Sequence, residues 1–190
     1  MNTMGSFGST GHGVRPWLAW LLVWLWCPLL AAQNVDDGYA PSVGGTVRTL
    51  HEQGNGLLLV GGAFTSAGGE TRNRLARFFP DGSLDTGFSP TIAQGGATTS
   101  VWAIHQQPST VPGLGKILVG GNFHEVNGLE RSNLARLNAN GSLDAPFNVA
   151  VNDDVRSIDS TMSPDGAVGT IYIGGRFTTV HGHARTRVAA

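Results

Sequence analysis

Three aspartates recur in this chain in the same surroundings: Asp36, Asp85 and Asp144 each stand three residues before an aromatic residue, Tyr39, Phe88 and Phe147. One carboxylate per repeat is what a set of calcium ligands would look like. A calcium loop needs several oxygen ligands at alternating positions, however, and no D-x-[DN]-x-[DN]-G run closed by a Glu occurs. Each aspartate instead follows a turn, where its side chain can accept hydrogen bonds from backbone N–H groups, so the expected role is structural. Arg72, Arg131 and Arg185 recur too, and guanidinium grips carboxylates bidentately. A residue needed once for a ligand has no reason to appear in each unit, whereas one that ties adjacent units does. His51 and His105 occupy equivalent strand ends with Asp159 in the third place, and His181 and His183 flank Gly182; neither pair has the further ligands that zinc requires. Cys27 is the only cysteine, and no G-x-S-x-G elbow is present. The chain is therefore expected to be no enzyme, with no catalytic residue, metal site or cofactor. The candidate ligand contact is Trp102, weighed against a place in the core because it falls inside an apolar strand.

These residues sit on an internal repeat. VGGAF (Val60 to Phe64), VGGNF (Val119 to Phe123) and IGGRF (Ile173 to Phe177) mark three copies, whose first glycines, Gly61, Gly120 and Gly174, are 59 and 54 residues apart. Gly62, Gly121 and Gly175 complete the pairs, and Phe64, Phe123 and Phe177 follow them. Eight residues past each first glycine comes Gly69, Gly128 or Gly182, and eleven past it comes Arg72, Arg131 or Arg185. GSLDTGF (Gly82 to Phe88) and GSLDAPF (Gly141 to Phe147) form a tail, and Asp36 to Pro41 repeats its end. Each tail leads to VRTL (Val47 to Leu50), VWAI (Val101 to Ile104) or VRSI (Val155 to Ile158). The repeats run over about 34–82, 83–141 and 142–190.

VRTL, LLLVGG (Leu57 to Gly62) and RLARFF (Arg74 to Phe79) are short, apolar or alternating, and bounded by Gly, Asn, Asp and Pro, which reads as strands. No stretch after the N-terminal segment sustains a helical period. The expected fold is all-β, built of β-propeller-type repeats with about three blades present, an incomplete propeller. The paired glycines are expected to close the inner strand where backbones crowd, and the phenylalanines to wedge between units. GG-x-F, then G-x-x-R, LAR and DGSLD with an aromatic residue together resemble the delta-sixty repeat, a β-propeller repeat of mainly bacterial, often exported proteins. That resemblance covers essentially residues 34–190; it implies a scaffold and supplies no active site.

Residues 1–33 have the layout of a signal peptide: Arg15, an apolar run from Trp17 to Leu30 broken by Pro28, then Ala31 and Ala32. The run is shorter than the roughly 20 residues of a spanning helix. The protein is thus expected to be secreted or displayed at the cell surface, with no membrane association after cleavage. Charge is nearly balanced, 12 Lys and Arg against 13 acidic residues, which does not favour a nucleic-acid partner. The reading is an exported scaffold presenting loops to a protein or glycan. Its rivals are a propeller hydrolase or lyase with its catalytic groups in other blades, and a structural spacer of a surface protein. An arc of three units leaves blade faces open, so self-association through them is expected. N-terminal sequencing of exported material should begin near Gln33; a mature chain that still carries Trp17 would contradict the leader.

Overall fold

Strands form wherever the sequence alternates β-branched and apolar residues between Gly, Asn and Asp turns. The computed structural model describes residues 39–93, 99–110, 115–162 and 168–190, so the expected leader and Asp36 lie outside the described residues. The first unit comprises β1 (Val43–Glu52), β2 (Leu58–Ala67), β3 (Glu70–Thr71) and β4 (Leu75–Phe78). Strand β2 is central. It pairs antiparallel with β1 along one edge, and with β4 and then β3 along the other.

The second unit repeats this layout with its long strands broken in two. β5 (Ile92–Ala93) and β6 (Val101–Gln106) take the place of β1, and β7 (Ile117–Gly121) and β8 (Glu125–Val126) that of β2. β9 (Leu129–Glu130) and β10 (Leu134–Leu137) complete it. The third unit has β11 (Val155–Met162), β12 (Val168–Gly175), β13 (Thr179–Val180), β14 (His183–Ala184) and β15 (Val188–Ala189). In place of a fourth blade strand, the first two units have a single bridge each, Phe78 to Leu84 and Leu137 to Leu143. The fold is all-β and of the blade-repeat type expected. RLARFF begins later than its pattern suggests: Arg74 has a positive φ, so the strand starts at Leu75.

Gly69, Gly128 and Gly182 recur for a local reason. Gly68-Gly69, Asn127-Gly128 and His181-Gly182 all have positive φ at both positions, the two-residue hairpin turn whose twist matches its strands. The His181 and His183 pair therefore belongs to an exposed turn.

The glycine pair stands on the second strand of each unit, not on the first. The first strands β1, β6 and β11 are the ones that lie against one another from unit to unit. Each glycine meets a different constraint. A Cβ at Gly61 would lie 2.6 Å from Val101 Cγ1 and 2.9 Å from Ile104 Cδ1 of the next unit, and one at Gly120 would meet Val155 and Ile158 in the same way. The second glycine faces its own unit: a Cβ at Gly62, Gly121 or Gly175 would overlap the backbone carbonyl of Thr46, Ser100 or Asp154.

Of the three recurrent phenylalanines, all are buried. Phe123 joins a cluster that spans the first two units, with Leu59, Leu75, Val101 and Val119, and Phe177 one that joins Leu134 to Val155 and Ile173. These two are the wedges expected. Phe64 packs instead within the first unit, among Val60, Ala67, Ala76 and Phe78. Each such ring contributes about 2 to 3 kcal/mol of transfer free energy.

Gly121→Val tests the second constraint, because a backbone carbonyl cannot retreat as a side-chain end can. A loss of about 3 kcal/mol or more is expected in denaturant titration. Gly128→Ala, in open space but at φ +77°, should cost only about 1 to 2 kcal/mol of backbone strain. Equal losses would show that packing at Gly121 is not what requires glycine.

Candidate functional site

The first strands carry a bulge at one repeated position. Pairing shifts register between Val47 and Thr49, between Val101 and Ala103, and between Val155 and Ser157, which leaves Arg48, Trp102 and Arg156 as the extra residues. A bulge re-aims the side chain of its extra residue. Because β1, β6 and β11 are neighbours, the three re-aimed side chains meet. The Arg48 guanidinium lies 3.9 Å from the Trp102 ring centroid and that of Arg156 lies 5.0 Å from it. Arg48 Nε also donates to Ser100 Oγ at 3.1 Å, and Arg156 pairs with Asp154 at 3.0 Å. Trp102, weighed from sequence between core and contact, is half-buried at the centre of this stack.

A second row runs beside the first. His51 and His105 have ring centroids 6.2 Å apart. His105 lies 3.8 Å from Asp159 and shares a 2.8 Å hydrogen bond with the Ser160 hydroxyl. The Asp159 side chain is 80 % exposed and accepts the backbone N–H of Ser160, so it does not hold the imidazole in place. Burial lowers the His51 pKa below its ordinary 6.5, and the nearby His105 adds to this. Burial lowers that of His105 as well, with the Asp159 charge in partial opposition. Among the described residues, no group of three or more His, Cys, Asp or Glu side chains could hold a metal ion.

The recurrent aspartates and arginines are held by partners that the sequence reading did not name. Asp85 Oδ1 accepts the Gly87 N–H, as its place after a turn suggests, while Oδ2 accepts from Arg77 at 2.8 Å. Asp144 and Arg136 repeat the pair at 2.7 Å, with Lys116 Nζ at 3.1 Å. Burial alone would raise the Asp144 pKa; hydrogen bonds and charge from Arg136 and Lys116 outweigh it and hold the carboxyl below its ordinary value. Arg77 and Arg136 also lie over Phe88 and Phe147, at 4.3 and 4.4 Å from the ring centroids. Spacing alone contained the signal: an Arg stands eight residues before Asp85 and before Asp144.

Arg72 and Arg131 donate to the carbonyls of Thr86 and Ala145, fourteen residues on, in the segment that leads into the next unit. Arg185 donates to the Ala184 carbonyl. A stronger link between units is Arg77, which reaches the Ala139 carbonyl at 2.6 Å.

Because the native histidines bind protons below 6.5 and an unfolded histidine binds them near 6.5, the unfolded chain takes up more protons as pH falls through that window. Stability is full above pH about 6.5 and declines below it, through the lowered native values. Thermal melts from pH 7.5 to 5 should therefore show a falling Tm, and His51→Gln with His105→Gln should flatten the fall. Identical slopes in both proteins would remove the two rings as its cause.

Residues 53–88 and 115–147 match the family described as a domain of unknown function (DUF5122) beta-propeller. No curated protein and no solved structure matches the chain. The two matched stretches are the same portion of successive units, each ending on the phenylalanine under the Arg77 or Arg136 guanidinium. Residues 53–88 and 115–147 are thus DUF5122 β-propeller repeats, which is consistent with a protein of delta-sixty-like repeats.

Proposed function

We propose that the chain is an exported, non-enzymatic binding scaffold whose ligand face is the row of first strands. The observation behind this reading is the line of bulged residues Arg48, Trp102 and Arg156. Asp85, Asp144, Phe88 and Phe147 are held by the Arg77 and Arg136 clamps, but the repeat leaves this position free to differ. Two guanidiniums with an indole between them suit a ligand that offers carboxylates and flat apolar faces, such as an acidic glycan. Guanidinium N–H edges can grip carboxylate in pairs, and the indole supplies a stacking surface.

Trp102 is the only tryptophan outside the leader, so its fluorescence reports on this face after cleavage. Titration with polygalacturonate at about 0.15 M salt should give a saturable change that weakens as salt is raised, because exposed charges are screened beyond roughly 8 Å. Arg48→Ala with Arg156→Ala should weaken binding at least tenfold while leaving the melt in place. Neutral dextran should give no response. Binding of polygalacturonate that ignores the two arginines would refute the assignment of the face.

A further inference from the structure

Two glutamines hold the same place in successive units. Gln53 and Gln107 stand six residues after Val47 and Val101, immediately past the last residues of β1 and β6. Each continues its ladder by one more bond: the Gln53 N–H donates to the Leu57 carbonyl and the Gln107 N–H to that of Lys116, both at 2.8 Å. The backbone there is paired, and only the side-chain amide is left to account for.

Pairing decides which way these side chains turn. Partners across an antiparallel ladder share a face, and so do residues two apart along a strand. Ala103 pairs with Gly120 and His105 with Leu118, so Gln107, two residues on, lies on the face that carries Gly120. Val155 and Ile158 of the following unit arrive at that face. In the first unit Thr49 pairs with Gly61 and His51 with Leu59, which puts Gln53 on the face that Val101 and Ile104 cover. One amide thus stands at each of the two junctions between the three units.

Both glutamines are 1 % exposed, and among the described residues no group bonds to Nε2 or Oε1 of either. Their neighbours do find partners. Gln106, only half-buried, donates from Nε2 to the Gly115 carbonyl at 3.2 Å, and Thr161, in the equivalent place of the third unit, accepts the Thr170 N–H on its hydroxyl. A primary amide carries two N–H donors and two acceptor lone pairs, and enclosing them all unpaired opposes folding. Its occurrence twice at one repeat position marks a feature of the unit. We infer that each amide binds an ordered water molecule enclosed between two units. Water is the occupant that the chemistry selects: it donates to Oε1 and accepts from Nε2, whereas a cation would serve the oxygen alone and an anion the N–H groups alone. Each junction is then dry where Val and Ile meet the glycine and hydrogen-bonded through water at the end of the same first strand.

Rotating-frame NMR spectra of the whole chain, as it is isolated, test this without any substitution. Dipolar transfer from a held water gives cross-peaks at the water frequency opposite in sign to the diagonal, while hydrogen exchange gives the same sign. The side-chain NH2 protons of Gln53 and Gln107 should both show the dipolar sign. Substitution gives a second readout, which a dry, unpaired amide would move the other way. Gln107→Met keeps nearly the same shape without the polar atoms. Where water is held, the change strands or expels it and Tm should fall by about 2 to 4 °C, whereas removing a dry amide should raise Tm. Gln53→Met should act likewise. Dipolar peaks missing at either amide, or a Tm that holds or rises with either substitution, would overturn the proposal.

Discussion

A backbone carbonyl pressed against a second-strand glycine is the contact on which the other features turn. At Gly62, Gly121 and Gly175 there is no room for a Cβ, because the first strand bulges toward that point. A side chain there would push the first strand away and straighten it. The preceding glycine removes a side chain from the opposite direction, where the next unit's Val and Ile arrive. A two-residue motif thus sets both the shape of the first strand and the distance between units. Glycine costs conformational entropy in a strand, and the close approach of two neighbours is what offsets it.

The second device is the clamp of Arg77, Asp85 and Phe88, repeated by Arg136, Asp144 and Phe147. A largely buried ion pair is not by itself a large gain, because both charges lose water on folding. Here the carboxylate also accepts a backbone N–H in the first copy, and the guanidinium covers a ring and reaches a carbonyl of the following unit. The clamp fixes the tail against β4 in the first unit and β10 in the second, and so sets where the next first strand begins. Removing one partner alone would leave a charge stranded and cost about 3 to 5 kcal/mol.

Much of this was legible in sequence because the repeat prints it more than once. The spacing of Gly61, Gly120 and Gly174 set the units apart, and the recurrence of Gly69, Gly128 and Gly182 was visible with it, although their hairpin role shows only in their positive φ. Two things were not legible. One was the strand that bears the glycine pair, since a run of apolar residues ending in Gly-Gly does not reveal whether it is first or second in its sheet. The other was the row of Arg48, Trp102 and Arg156: a bulge is a mismatch between two strands, and one strand's sequence shows only half of it. VWAI therefore reads as an ordinary apolar strand, and Trp102 as a candidate contact residue that fits the core better.

The bulge gives adjacent residues of one strand separate tasks. Val47, Val101 and Val155 keep the same identity in all three units, and the two that have a preceding unit are fully buried against it. The very next residue is Arg, Trp and then Arg, turned out of the ladder, where the three side chains meet one another instead of filling the apolar contact between units. In a regular strand, neighbouring side chains also point to opposite faces, but both faces of a blade are covered by other blades. A bulged residue escapes that limit. Side-chain identity can then vary at one position per unit while packing stays fixed at the position before it, which lets a single repeated unit carry a row that is not itself repetitive.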